Sequence, residues 1–206
     1  MGATHLCAVQ NCPGPYPVTA ADASDLCLTC GLCCDGTLFG DVELQAGDDR
    51  ARLRALGLPV IRSRSGRRPS RWLQPCPALG AGCRCAIYRE RPLHCREFDC
   101  ALLQSVKAGA LEIADARRTI RQTRRRVETV KRLLRELGDT QEHDSLAKRF
   151  RRTRRRFENQ ELAEAPDREE RLDQLAALTM AVHELQFALR LAFYPDPGDG
   201  PGQYCP

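Results

Sequence analysis

The chain has 206 residues, of which 12 are cysteine, and a formal net charge of +5. This length suffices for one medium-sized domain, or for a small cysteine-rich module joined to a helical partner. The first residues lack a basic lead, an apolar run and a cleavage-site pattern, which predicts no secretory signal peptide. The most apolar stretch, 175–193, is interrupted by His183, Glu184 and Arg190, which favours a buried helix over a membrane span. We therefore expect a cytoplasmic protein without a transmembrane segment or lipid anchor.

Residues 1–26 are rich in proline and glycine and are expected to be poorly ordered. Directly after them, residues 27–34 read CLTCGLCC. In a reducing cytosol, dense cysteines more often bind metal or do redox chemistry than form disulfides. Gly31 permits the backbone conformation of a metal-binding knuckle, and the two-residue spacing suits both zinc and iron–sulfur sites. Because adjacent side chains tend to point apart, Cys33 and Cys34 are expected to serve different metals or different corners of one cluster.

A second cysteine-rich segment at 75–100 reads PCPALGAGCRCAIYRERPLHCREFDC. Its prolines and glycines indicate loops with little apolar area to bury. Metal binding to thiolates can supply about 10 kcal/mol or more of folding free energy, so a metal is expected to be required for its structure. Arg91 and Arg96 flank Cys95, and such cations either lower the pKa of its thiol or are merely solvated.

The pattern C-x-x-C-G-x-C-C, followed by P-C-P and C-x-I-Y-x-x-R-P-x-x-C-R-x-F-x-C, resembles the YkgJ-like cysteine-cluster family over about residues 27–104. The resemblance implies a domain that chelates zinc or iron. The pattern is also similar to the cluster region of flagellin lysine methylases, which admits a protein-modifying enzyme. The thiols that match the family pattern, and are thereby predicted as metal ligands, are Cys27, Cys30, Cys33, Cys34, Cys76, Cys85, Cys95 and Cys100. The cysteines outside the pattern, which are not predicted as ligands, are Cys7, Cys12, Cys83 and Cys205.

Eight thiolates suit two tetrathiolate zinc ions, or one or two iron–sulfur clusters. His94 is expected to orient or solvate such a centre rather than to bind the metal. The sequence has no nucleophile elbow, no phosphate-binding glycine loop and no HExxH motif. Any catalysis would therefore come from the cluster itself, and whether the protein is an enzyme stays open at this point.

Beyond residue 101 the chain has no cysteine until Cys205, and apolar residues recur every three or four positions, as in amphipathic helices. We predict a mainly α fold, in which an irregular, metal-pinned cysteine-cluster domain at 27–104 packs with a long helical hairpin or three-helix bundle at 105–194. A turn at 105–110 is expected to join them, and residues 195–206 are expected to form a flexible tail.

Three helices are predicted in this second half. The first begins at Ile113, keeps a coiled-coil-like seam interrupted by Thr123, and ends at the C-cap Gly138. The second begins at Asp144 or Ser145, and the third follows a D-x-x-E capping pattern at Asp167. The predicted apolar faces are Leu146, Phe150 and Phe157 on the second helix, and Leu172, Leu175, Val182, Leu189 and Phe193 on the third. Leu178, Leu185 and Leu191 add apolar surface off that stripe, so the third helix is expected to be the centre of the bundle.

Two arginine-rich runs, 117–126 and 148–157, concentrate positive charge on these helices. We favour a solvated face, or one paired with acids such as Glu128 and Glu136, over a docking surface for an acidic protein partner. A nucleic-acid-binding module is the third choice, and its binding would weaken steeply with salt. The leading hypothesis is a cytoplasmic cysteine-cluster metalloprotein that binds an iron–sulfur cluster or zinc. Its alternative is a cluster-dependent protein-modifying or redox enzyme.

Overall fold

The structure, a computed structural model, describes residues 24–62, 69–158 and 168–194. These residues form seven α-helices and one two-stranded sheet, so the fold is mainly α, as predicted. None of the described helices is long and apolar enough to cross a membrane. The elements in chain order are α1 (Ser24–Cys30), β1 (Asp41–Glu43), α2 (Arg50–Ala55), β2 (Arg71–Leu73), α3 (Leu93–Glu97), α4 (Ala101–Lys107), α5 (Ile113–Glu136), α6 (Leu146–Glu158) and α7 (Arg168–Ala192).

The chain divides into two compact units, Met1–Glu97 and Phe98–Pro206. The boundary expected between residues 104 and 105 stays a prediction. The segment 1–26 and the tail 195–206, expected to be poorly ordered, lie outside the described residues except for 24–26, which open α1. The turn expected at 105–110 is shorter, because α4 continues to Lys107 and the left-handed Gly109 follows it.

The first unit has an apolar core built on a small antiparallel sheet. Val42 of β1 lies opposite Trp72 of β2, and the two side chains are 2% and 1% exposed. The segment is therefore less irregular than predicted. The sheet was not predicted because strands of three residues are too short to show a period-two pattern in the sequence. The buried residues of this core are Val42, Leu44, Leu53, Leu58, Val60, Trp72, Ala78 and Ile87.

Helix α5 is the centre of the second unit and packs against α4, α6 and α7. It begins at Ile113, as predicted, and the buried seam includes Thr123. Gly138 follows the helix with a φ of 78°, and the amide of Asp139 donates to the carbonyl of Leu134 at 2.9 Å. This is the glycine C-cap that the sequence predicts. The predicted seam residues that are buried are Ala116, Ile120, Val127, Val130, Leu134 and Leu137.

The predicted buried face of α7 was partly wrong. Leu178 and Leu185, placed off the stripe, are 0% and 3% exposed, whereas Leu172 is 47% exposed. Helix α7 carries apolar residues on more than one side, so periodicity alone could not select the side that packs on α5. Of the remaining predictions, Val182, Leu189 and Phe193 are buried, as expected. Leu191, expected to add packing surface, is 71% exposed, and α5 rather than this helix is the centre of the unit. The capping residue Asp167 lies outside the described residues.

Helix α6 also departs from prediction. Leu146 is buried as expected, but Phe150 and Phe157 are only half-buried, and Arg149 is 2% exposed. Arg149 Nε donates to Asp139 Oδ2 at 2.6 Å, which places a charged pair where the pattern predicted aromatic packing.

The basic run on α6 is therefore not simply a solvated face. Arg152 Nη2 donates to Asp139 Oδ1 and Arg152 Nη1 to Asp144 Oδ2, each at 2.6 Å. Arg156 Nη2 donates to the carbonyl of Leu137 at 2.6 Å, which adds a cation at the negative end of the α5 dipole. Side chains of this run thus join α6 to the end of α5.

Candidate metal centre

The first cysteine segment ends α1 in a tight turn. Gly31 has a φ of 69°, and its carbonyl accepts hydrogen bonds from the amides of Cys34 and Asp35, both at 2.9 Å. Glycine adopts this left-handed conformation without steric cost, so the knuckle predicted from Gly31 is present. The turn places Cys33 and Cys34 beyond the helix that carries Cys27 and Cys30.

Hydrogen bonds join this turn to the second cysteine segment. The amide of Cys76 donates to the carbonyl of Cys34 at 2.7 Å, and Gln74 Nε2 donates to the carbonyl of Cys33 at 3.1 Å. The amide of Gln74 in turn donates to the carbonyl of Gly40 at 3.0 Å. The chain leaving β2 therefore runs directly beside the turn, which brings Cys76 to Cys34.

A short antiparallel loop then returns the chain to the same place. Leu79 and Cys85 form an isolated bridge, the amide of Gly80 donates to the carbonyl of Arg84 at 2.7 Å, and that of Ala86 to Ala78 at 2.8 Å. This pairing holds Cys85 near Cys76. The 3-10 turn Ala81–Cys83 in the loop packs against α1.

The fourth segment of the centre is α3, which carries Cys95 and packs against β1. One oxygen of Asp48, Oδ1, accepts from the amide of Leu93 at 2.8 Å, and Oδ2 accepts from the amide of Gln45 at 2.8 Å. Asp48 thereby ties the start of α3 to the chain after β1. Together with Cys76 and Cys85, Cys95 packs against the core that contains Trp72.

Four thiols of these segments, Cys34, Cys76, Cys85 and Cys95, lie close enough to affect one another's ionisation; we call them the thiol quartet. Burial raises the pKa of Cys34, and the charges of the other three quartet thiols raise it further. Burial, with smaller contributions from the charges of Cys76 and Cys85, raises the pKa of Cys95 to about 12. Ionising one thiol is therefore unfavourable for the others unless a cation shares their charge.

Arg91 acts on Cys95 in the predicted direction, but its effect is smaller than that of burial. The guanidinium carbon lies 3.7 Å from the centroid of the Tyr88 ring, and Nε donates to the Tyr88 carbonyl at 3.0 Å. Its positive charge lowers the pKa of Cys95. The net pKa of Cys95 is nevertheless raised, because desolvation by burial outweighs the charge of Arg91.

Cys76 differs in having hydrogen-bond donors around its sulfur. Burial raises the pKa of its thiol most strongly, while the backbone amides of Ala78 and Leu79 and the side chain of Trp72 lower it. Trp72 Nε1 is buried and has no partner of ordinary hydrogen-bond geometry, so its contact with the sulfur is a loose one. Sequence reasoning missed this tryptophan, because a single Trp beside basic and polar residues carries no motif.

Donor chemistry fits a thiophilic metal, since Cys76, Cys85 and Cys95 pack against the core, Cys34 is joined to Cys76 through the backbone, and cysteine is a common ligand of zinc and of iron–sulfur clusters. The nine cysteines in the described ranges form no disulfide with one another. As their side chains stand, however, no three His, Cys, Asp or Glu residues in those ranges are arranged to hold a metal ion. Zinc–sulfur bonds are about 2.3 Å long, so metal binding requires side-chain shifts that bring the quartet sulfurs together.

The other four predicted ligands are not placed in the quartet. Cys27 and Cys30 lie on α1 and Cys33 in the turn that follows it, whereas Cys100 precedes α4 in the second unit. The ring of His94, expected to orient or solvate the centre, meets that of Phe39 edge-on at 5.8 Å between centroids. The cysteines Cys7, Cys12 and Cys205 lie outside the described residues.

Residues 26–131 match the CxxCxxCC family, described as a "putative zinc- or iron-chelating domain". The match covers more than half of the chain, and the chain belongs to this family, which confirms the resemblance seen in its cysteine pattern. The description is consistent with the predicted cofactor, an iron–sulfur cluster or zinc. No curated protein and no solved structure is significantly similar to the chain.

Proposed function

We propose that this member of the CxxCxxCC family is a cytoplasmic metalloprotein in which the thiol quartet binds zinc or an iron–sulfur cluster. The observation that supports this most strongly is that the fold gathers these thiols: a backbone hydrogen bond joins Cys76 to Cys34, and Cys76, Cys85 and Cys95 pack against one apolar core. These thiols come from four separate segments of the chain. A cluster of partly buried thiols with raised pKa values is typical of a functional site.

The remaining ligands of the proposal are Cys27, Cys30, Cys33 and Cys100, which rest on the cysteine pattern alone. With the quartet they make eight thiolates, enough for two tetrathiolate sites or for one or two iron–sulfur clusters. We assign Cys33 to this second set and Cys34 to the quartet because adjacent side chains tend to point apart.

A bound metal cation would offset the repulsion between the thiolates of the quartet. Each ligand must lose its proton before it binds, so binding releases protons and couples metal affinity to pH. A zinc site closed by four cysteines has no open position for water or substrate, which makes it structural. We therefore propose that the metal stabilises the packing of the loops against the Trp72 core.

The test is to purify the full chain without oxygen and to measure zinc, iron and acid-labile sulfide together with the visible absorption. We expect at least one zinc ion or one iron–sulfur cluster per chain. A variant with serine at Cys34, Cys76, Cys85 and Cys95 should lose that metal, whereas Cys83→Ser should keep it. The proposal would be contradicted if the purified chain contained neither zinc nor iron, and if the apoprotein also failed to bind added Zn²⁺ and to assemble a cluster from Fe²⁺ and sulfide.

The same measurement addresses the alternative of a cluster-dependent protein-modifying or redox enzyme. A brown protein whose absorption bleaches on reduction would favour that alternative, because a redox-active cluster can take part in chemistry. A colourless zinc protein would favour the structural role.

A docking surface for an acidic protein partner is our second proposal, and it is confined to α5. Side chains of the α6 run bind Asp139, Asp144 and the end of α5. In the α5 run, by contrast, Arg121 and Arg125 are exposed and lie one turn apart. Binding of an acidic polypeptide such as polyglutamate should weaken when both are changed to Gln. Stronger salt-sensitive binding to mixed RNA or DNA would instead favour a nucleic-acid partner.

A further inference from the structure

Trp72 is the single tryptophan of the chain, and its side chain is 1% exposed. Its indole N–H is fully buried without a partner of ordinary geometry. A buried N–H that makes no good hydrogen bond is costly, and a phenylalanine would fill much of the same core space without that cost. The position of this donor therefore needs an explanation beyond packing.

The sulfur of Cys76 is an acceptor beside this N–H, since the Trp72 side chain lowers the pKa of the Cys76 thiol. Cys76 packs against the core cluster to which Trp72 belongs. The backbone amide of Ala78 also acts on this sulfur, while the amide of Leu79 donates to the carbonyl of Cys76 at 3.0 Å. With the indole N–H, two donors lie beside one thiol, an arrangement that suits a sulfur carrying negative charge.

We propose that Trp72 is a positioning residue of the metal centre, whose indole N–H donates a hydrogen bond to the metal-bound thiolate of Cys76. A hydrogen bond to an anionic acceptor is shorter and stronger than one to a neutral thiol. The loose contact with the thiol therefore tightens when Cys76 exchanges its proton for a metal. The tryptophan thereby favours the bound form of this ligand and fixes the direction of its sulfur, as groups around metal ligands commonly do.

This inference rests on the proposed metal binding by the quartet, and its test uses the single tryptophan. In the ¹⁵N-labelled full chain, one indole N–H signal is expected in the proton–nitrogen NMR spectrum. Loading the apoprotein with ¹¹³Cd²⁺, a zinc substitute, should move this proton downfield and should produce a scalar coupling between ¹¹³Cd and the indole proton across the N–H···S bond. An indole signal that stays unchanged while cadmium binds would overturn the inference.

A variant series supplies the second readout. Trp72→Phe removes the N–H and should weaken Zn²⁺ affinity, measured by chelator competition, by about 10–100-fold, the usual range for outer partners of metal ligands. Replacing the indole by benzothiophene, through growth on the tryptophan analogue, keeps the ring shape and should weaken affinity similarly. Val42→Ala is the matched control, because Val42 faces Trp72 in the same core and lacks a donor; it should leave the affinity nearly unchanged.

The outcomes separate the two proposals. If neither Cd²⁺ nor Zn²⁺ binds to the chain, or if the amount of metal bound per chain does not fall when all four quartet cysteines are changed to serine, the proposed function fails. If both metals bind through the quartet but the indole signal does not respond and the benzothiophene form binds Zn²⁺ normally, only the role of Trp72 fails. An equal loss of affinity in Val42→Ala would show that packing alone explains the effect, which also overturns the role of Trp72.

Discussion

The amide of Cys76 donates a hydrogen bond of 2.7 Å to the carbonyl oxygen of Cys34. This bond joins the two cysteine-rich segments through their backbones, directly next to two of the proposed ligands. Their sulfurs can move by side-chain rotation while the backbone that carries them stays in place. Because the backbone fixes which cysteines lie close to one another, the amount of bound metal should depend strongly on which of two neighbouring cysteines is changed.

Cys85→Ser should remove the quartet metal, whereas Cys83→Ser should not. The two residues lie in the same loop, but Cys85 is paired with Leu79 and belongs to the quartet, while Cys83 belongs to the turn that packs against α1. Metal per chain, measured on the purified variants, should fall by about one zinc in the first and stay unchanged in the second if the quartet is a tetrathiolate zinc site. Equal loss in both variants would place Cys83 among the ligands instead.

Removal of the metal should destabilise the first unit and spare the second. The helices of the first unit have seven, six and five residues, which is too short for stability outside tertiary packing. Helices α5 and α7 have 24 and 25 residues and a buried interface of their own. Hydrogen exchange after chelation should therefore rise in residues 24–97 and stay constant in α5. Equal increases in both regions would contradict this prediction.

The long helices could be predicted because their evidence is repeated along the sequence. The apolar period from Ile113 and the glycine at Gly138 each indicate the same element, and the structure has α5 with its cap at those places. The sheet could not be predicted in this way, since β1 and β2 have three residues each. Its main signal would have been Trp72, a large apolar residue that needs a buried place.

The sequence predicts which cysteines are candidate ligands, but it does not predict which of them lie close together in the fold. Spacing along the chain suggests that Cys27, Cys30 and Cys33 act together, whereas a backbone hydrogen bond joins Cys34 to Cys76 of a distant segment. Such pairings depend on tertiary structure and leave no local pattern. The same holds for α6, where Arg149 is buried because Asp139, after the end of α5, supplies the opposite charge.

Asp139→Asn should destabilise the second unit by about 3–5 kcal/mol, the usual cost of leaving a buried charge without its partner. The carboxylate of Asp139 is 1% exposed and binds both Arg149 and Arg152. The matched control is Glu158→Gln, which breaks an exposed 3.0 Å pair with Arg154 and should cost less than about 1 kcal/mol. Urea unfolding followed by circular dichroism measures both variants, and similar values for the two would show that the buried pair contributes little.

The same network predicts a loss of stability in acid. Burial acts to raise the pKa of Asp139, but hydrogen bonds from Arg152 and Arg149 outweigh it and hold the pKa below 3.8. A carboxyl with a lowered pKa in the folded state stabilises the fold above its unfolded pKa, and this contribution is lost as the pH falls through the folded pKa. The free energy of unfolding should thus drop below about pH 3.8 in the wild type. In Asp139→Asn that drop should be smaller, and an identical drop in both proteins would assign acid sensitivity to other groups.

Leu178→Ala should destabilise the second unit by about 2–5 kcal/mol, because Leu178 is 0% exposed on the side of α7 that packs within this unit. Leu191→Ala makes the same chemical change on the same helix, but Leu191 is 71% exposed, so its effect should stay within about 0.5 kcal/mol. The pair isolates burial from helix propensity, since both variants replace leucine by alanine in one helix. Thermal and urea unfolding of both variants, compared with the wild type, measure the difference. A large loss in Leu191→Ala would mean that this face of α7 is covered in solution, for example by a second copy of the chain, and a concentration-dependent melting temperature would then identify that association.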